Sequence, residues 1–167
     1  MAWYFREAHH AKLYQKYRPV YPREVFETIY DFLSEGHVRH WNLAVDVACG
    51  TGLSTLPLCD HFDKVVGVDQ SEAQLNEAKK HLPDAFKEKV TYVLGDARDL
   101  SFQPDSSVDL ITIAQSLHWF DVDSVVKFCK GSLRVLRNGG VLAAYGYANR
   151  LKNVHGQAIL MEVGRLL

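Results

Sequence analysis

The sequence predicts an α/β fold, an open and mostly parallel sheet of about five strands in the order 3-2-1-4-5 with helices on both faces. Three observations carry that prediction. Five short runs rich in branched residues alternate with helical patterns from Leu43 onward. The runs are nearly continuous in apolar character, as strands covered on both faces tend to be. A small-residue glycine turn, Ala48-Cys49-Gly50-Thr51-Gly52, follows the first of them.

The elements follow in order. Residues 3 to 16 read as a first helix of weak periodicity. It is closed by Arg18-Pro19-Val20-Tyr21-Pro22, where the prolines disfavour helix at Arg18 and Tyr21. A second helix from Arg23 to Glu35 places Phe26, Ile29, Tyr30 and Leu33 at helical spacing and stops at Gly36. Residues 1–36 are therefore a helical arm or lid, and 37–167 one compact α/β unit. Its strands are Leu43 to Val47, Val65 to Val68, Val90 to Leu94, Val108 to Ile113 and Val141 to Tyr145. Between them, Leu53 to His61 is helical with Pro57 in its first turn, and Ser71 to Gln74 is a capping box opening a helix with Leu75, Ala78 and Leu82 on one face. Asp121 caps a further helix with Val122, Val125, Val126, Cys129, Leu133 and Leu136 on one side, closed by Asn138-Gly139-Gly140. Right-handed crossovers then place any ligand at the carboxyl ends of the strands, near the topological switch point.

Composition narrows the function. Nineteen basic and twenty acidic side chains among 167 residues leave a net charge of −1, so no global field holds nucleic acid or an anionic membrane. No stretch approaches the roughly 20 apolar residues of a membrane span, and the first residues lack a basic region followed by an apolar run. A cytoplasmic protein without nucleic-acid or membrane partners is the expectation. Cys49, Cys59 and Cys129 form neither a CxxC pair nor a zinc-spaced cluster, so they read as reduced thiols filling core space, and no metal is expected.

The strand ends carry the candidate chemistry. Gly50 and Gly52 let a ligand lie against bare peptide groups at the start of a helix, although such a turn also serves any strand-to-helix connection. Asp69 ends the second strand 19 residues beyond Gly50, where a carboxylate accepts hydrogen bonds from both ribose hydroxyls; alone it would equally cap the next helix. Asp96 ends the third strand, placed to receive the exocyclic amine of adenine while a neighbouring N–H meets a ring nitrogen. Its other reading is a surface-turn aspartate.

Turn, ribose acid and base acid together resemble the class I S-adenosylmethionine-dependent methyltransferases, over about residues 10 to 147. The phrase Leu133-Arg134-Val135-Leu136-Arg137-Asn138-Gly139-Gly140 is similar to that family's helix-to-strand-five connection, whereas Ala48 stands where many members have glycine. The arm segment Tyr17 to Pro22 and Gln115-Ser116-Leu117-His118-Trp119-Phe120 more narrowly resemble the small-molecule, trans-aconitate methyltransferase-like subgroup. The resemblance implies S-adenosylmethionine as cofactor, contacted by Asp46, Gly50, Thr51, Gly52, Asp69, Gln70, Asp96, Ala97 and Gln115. It also implies methyl transfer to a small-molecule acceptor such as a carboxylic acid. Tyr17, Arg18, Tyr21 and Trp119 are the substrate or lid candidates. His118 is the candidate catalytic proton acceptor, though a histidine beside Trp119 and Phe120 more often packs or lines a substrate pocket.

Two further readings stand beside this one. A nicotinamide-dependent oxidoreductase wants a small residue three positions after Gly52, where Thr55 stands, and leaves Asp96 without a role. The absence of an Asn/Asp-Pro-Pro-Tyr/Phe phrase after strand four argues against methylation of nucleic-acid bases. Family members usually carry two more strands after strand five. The remaining Leu151 to Leu167 reads as one helix, which would leave strand five an edge and give a C-terminally shortened chain. A cofactor-binding or interaction module without turnover, self-associating through its apolar tail, is therefore the second expectation.

Overall fold

The computed structural model describes residues 7–34, 40–147 and the backbone of 159–164. Two helices, α1 (Ala8–Tyr17) and α2 (Arg23–Ser34), precede β1 (Trp41–Val47). A short 3-10 helix (Leu56–Asp60) leads to β2 (Phe62–Asp69), α3 (Glu72–His81) and β3 (Val90–Leu94). The second half runs through β4 (Val108–Ala114), α4 (Val122–Val135), β5 (Leu136–Tyr147) and β6 (Ile159–Gly164). The sheet order is β3-β2-β1-β4-β5-β6, with the first five strands parallel and β6 antiparallel to β5. The expected order 3-2-1-4-5 is present, and β1 and β4 flank the switch point.

Alternate residues along each central strand face opposite layers. Ala44, Val65, Leu110, Val141 and Ala143 pack against α2 through Phe26, Ile29 and Leu33. Val45, Val47, Val68, Ile111 and Ile113 pack against Phe128 and Val135 of α4. All seven residues of β4 are buried, which explains why its sequence shows no alternation. Cys49 and Cys59 are buried free thiols, while Cys129 is half-buried.

Several expectations need correction. The helix expected over Leu53 to His61 is only the 3-10 helix Leu56–Asp60, with Pro57 in its first turn, so the glycine turn does not run directly into an α-helix. Ser54 and Thr55 instead turn their hydroxyls onto Asp46. The buried face of α4 is Ser124, Phe128, Ser132 and Val135, whereas Val122 is 79% exposed and Val126 and Leu133 also face outward. Phe128, meeting Phe120 edge-on at 5.8 Å, sets that orientation; counting branched residues missed it. The helix also ends at Val135 rather than at the glycines, because Ser106 and Ser107 N–H groups take the carbonyls of Arg134 and Val135 and Leu136 pairs with Val108.

Within the span expected to be a helix, Leu151 to Leu167, the described residues Ile159–Gly164 are instead a strand, paired from Tyr147↔Ile159 to Leu142↔Gly164. A short apolar run does not distinguish helix from strand, and pairing satisfies the row of backbone groups that β5 would otherwise expose. Strand five is therefore not an edge, and one of the two strands thought missing is present. The self-association expected of this region rests on side chains outside the described residues, as do residues 1–6 and the turn at Gly36.

Candidate active site

At the carboxyl ends of β1 and β4 the backbone turns through the left-handed region at non-glycine residues, Ala48 (φ 54°) and Gln115 (φ 53°). Such residues cost about 1 kcal/mol or more each and concentrate where surrounding structure imposes a shape. Here they steer both chains out of the sheet on either side of the switch point. The glycine turn follows Ala48, with Gly50 at φ 56° and Gly52 at φ 83°.

Asp46 anchors that turn from below. Its fully buried carboxylate accepts hydrogen bonds from Ser54 (2.8 Å), Thr55 (2.7 Å) and Thr112 (2.8 Å), joining the turn to β4. Burial raises its pKa to about 6 despite the three hydroxyls that oppose the shift. Asp46 lines neither of the cavities described below, so its place is beneath the site.

Asp69 joins two segments at the end of β2. One oxygen accepts the Gly50 N–H at 2.9 Å and the other the Ser71 N–H at 2.8 Å. Burial raises its pKa, and the backbone donors work against that rise. The Gln70 N–H also bonds this carboxylate, which with about four acceptor sites keeps capacity for a further donor. At the α3 N-terminus the Ser71 hydroxyl accepts from the Gln74 N–H at 3.3 Å, half of the expected capping box. The reciprocal half is replaced, because Asp69 already takes the Ser71 N–H.

Two cavities meet at this crevice. The first, about 250 Å³, has Gly50, Asp69 and Gln74 on one side and Tyr14, Arg18, Gln115, Ser116 and His118 on the other. The second, about 180 Å³, is lined by Gln70, Asp96, Ala97, Arg98, Asp121 and Ser124, among others. Ala48 and Trp119 line both, so the cavities adjoin. In the second, Arg98 grips Asp96 with donors at 2.5–3.0 Å, which lowers the carboxyl pKa. Asp96 is half exposed and ionised, whereas Asp69 is enclosed.

The arm is tied across the first cavity. Arg18 donates to the Tyr147 hydroxyl at 2.5 Å, and its guanidinium lies 4.6 Å from the Tyr14 ring centre and 5.3 Å from that of Tyr147. Tyr21 meets Tyr145 edge-on at 5.2 Å. A narrow cleft continues past Arg18 and Tyr21 to Thr51 and Tyr147. Gln115 donates to the Tyr147 carbonyl at 2.7 Å, and Gly146 leaves it room, since a side chain there would stand 2.9 Å from the amide nitrogen. The His118 ring lies 5.0 Å from that of Trp119.

Among the residues expected at the site, Gly50, Asp69, Gln115, Arg18, His118 and Trp119 thus line the first cavity, and Gln70, Asp96 and Ala97 the second. Thr51 and Tyr21 border the cleft. Gly52 lies under Tyr92, whose hydroxyl stands where a Cβ would project, and Tyr17 is 69% exposed and lines neither cavity. Gln74 and Arg98 were missed by sequence reasoning. Gln74 looked fully explained as a capping residue, and Arg98 carried no motif. Among the described residues no group of three His, Cys, Asp or Glu is arranged to hold a metal, and no helix is long and apolar enough to cross a membrane.

Residues 45–144 match the family model described as a methyltransferase domain. A trans-aconitate 2-methyltransferase from an Acidovorax species is 35% identical over 133 residues, covering 78% of this chain and 46% of the relative. A Dictyostelium discoideum protein named as a methyltransferase is 34% identical over 137 residues, covering 82% and 47%. The crystal structure of an S-adenosylmethionine-dependent methyltransferase from Clostridium acetobutylicum superposes with a TM-score of 0.64 at 26% identity, over 84% of this chain and 57% of that one. The chain spans about half the length of the curated relatives it matches. With the strand order, the glycine turn and the two strand-end carboxylates, these matches establish that the chain belongs to the class I S-adenosylmethionine-dependent methyltransferases.

Proposed function

We propose that this chain binds S-adenosylmethionine across the two joined cavities and directs its methyl group to a small-molecule acceptor, a carboxylic acid. One observation carries the reading: Asp69 and Asp96 line adjoining cavities that share Ala48 and Trp119, which suits a ribose and its base. The residues present fit the cofactor. Asp69 retains acceptor capacity for hydroxyls, Gly50 offers bare backbone, and a buried amide oxygen of Gln74 in the same wall has no partner.

When bound, the cofactor supplies a methyl group already activated by its sulfonium leaving group. The chain's contribution is therefore positioning and exclusion of water. Gln115 and Ser116 form the neutral wall of the first cavity, and Trp119 covers the junction. Arg18, held over Tyr14 and Tyr147, supplies a fixed positive charge for an acidic acceptor. A carboxylate acceptor needs no proton removed. For a hydroxyl acceptor, an imidazole nitrogen of His118 is the proton acceptor in reach of the cavity. Near-neutral net charge and the absence of a base-methylation phrase support a small molecule over a polynucleotide.

Binding without turnover is the second reading, and the chain's span of about half its relatives' length favours testing it separately. Calorimetric titration with S-adenosylmethionine and S-adenosylhomocysteine, followed by a methyl-release assay on small carboxylic acids, decides. Binding with transfer supports the enzyme, and binding alone supports the module. Failure to bind either compound refutes both, and selective binding of a nicotinamide nucleotide would restore the oxidoreductase.

A further inference from the structure

We propose that the outward face of α4 is a surface on which two copies of this chain pair, antiparallel about a two-fold axis. Val122, Val126, Cys129 and Leu133 recur at intervals of four, three and four residues, so they form one stripe along about 17 Å of helix. The face of α4 turned to the sheet is already filled by Ser124, Phe128, Ser132 and Val135. The stripe is therefore not part of the core: Val122 is 79% exposed, Val126 46% and Leu133 49%, with Cys129 half-buried. Single exposed apolar side chains are ordinary on a protein surface, whereas an aligned row of them marks a place of contact.

The charges beside the stripe select the occupant. Asp123 and Lys130 lie seven residues apart on one flank, both exposed, and neither makes an ion pair among the described residues. The other two cations of that flank are engaged within the chain. Arg134 is held by Asp105 at 2.5 Å and by the carbonyls of Leu100 and Gln103, and Lys127 lies near enough to Asp96 and Asp99 to help lower both carboxyls. A second copy laid antiparallel sets Val122 opposite the partner's Leu133 and Val126 opposite the partner's Cys129. The same flanks then meet, with Asp123 of each copy beside the partner's Lys130. Parallel pairing would set like charges together, and a partner of a single sign would leave one of the two charges unmatched. The surface is thus complementary to a reversed copy of itself, which is the isologous contact of a two-fold dimer.

Sedimentation velocity of the whole chain from about 1 to 200 μM reads the association directly. The expected result is a reversible monomer–dimer equilibrium. Asp123→Lys and Lys130→Asp each set like charges together at two symmetric places, and each should weaken the dimer about tenfold or more. The double variant exchanges the signs and should return the affinity to within about threefold of the parent, a rescue that a folding defect would not give. Val126→Lys buries an unpaired charge in the middle of the stripe and should leave the chain monomeric, and Leu133→Glu should do the same. Both positions are half exposed in the single copy, so the melting temperature of each variant at low concentration should stay within about 3 °C of the parent. A parent chain that remains monomeric throughout overturns the proposal. So does a dimer that survives Val126→Lys and Leu133→Glu, or one that the two charge variants weaken and their combination does not restore.

Discussion

Replacing Asp46 by asparagine isolates the energetic cost of the carboxylate beneath the glycine turn. Its native pKa is raised to about 6 from an ordinary 3.8, with burial as the largest cause. Between those values the folded state binds more protons than the unfolded state, so stability falls as pH rises from about 4 to about 6 and then levels. The gap corresponds to about 3 kcal/mol lost once the group is ionised. Asparagine keeps an acceptor for Thr112, and the Ser54 and Thr55 hydroxyls can rotate to accept from its amide. Urea unfolding of both proteins from pH 4 to 7.5 supplies the difference curve. Depressed carboxyls such as Asp96 and Glu77 titrate alike in both proteins and cancel. The asparagine variant should gain on its parent by about 2.4 kcal/mol across that range, the remainder falling below pH 4, whatever constant offset the substitution adds. Parallel pH curves would refute the reasoning.

Further outcomes follow from the same geometry. Asp69→Ala strands the N–H groups of Gly50 and Ser71, so it should cost about 2–4 kcal/mol of stability besides weakening nucleoside binding; an unchanged melting temperature contradicts this. Ala48→Gly relieves a left-handed alanine at a smaller entropic cost, for a net gain of about 0.5–1 kcal/mol, read by thermal melting. A fall in stability there would refute the assigned strain. Gly67→Ala would put a Cβ 2.7 Å from the Tyr92 ring and 3.0 Å from Cys49 Sγ, and should destabilise by about 1–3 kcal/mol in urea titration. A neutral result would mean that Tyr92 moves freely, contrary to its packing.

Most of the sheet is legible in the sequence because strands buried on both faces leave continuous apolar runs. Val90–Leu94 is matched at both ends, and Val108–Ala114 within one residue. What escaped depended on partners distant in the chain. β6 forms against β5, α4 is oriented by one phenylalanine, and the glycine turn is stabilised by hydroxyls on Asp46 rather than by a long helix. Asp69 and Asp96 could be found by their positions at strand ends. Gln74 could not, because its release from the capping box depends on which acceptor captures the Ser71 N–H.

A crystal structure of the chain with S-adenosylhomocysteine bears most directly on the site. The expected result is adenine in the cavity of Asp96 and Ala97, ribose against Asp69 above Gly50, and the sulfur facing Gln115. A nucleoside bound elsewhere, or Asp69 and Asp96 making no contact with it, would contradict the account.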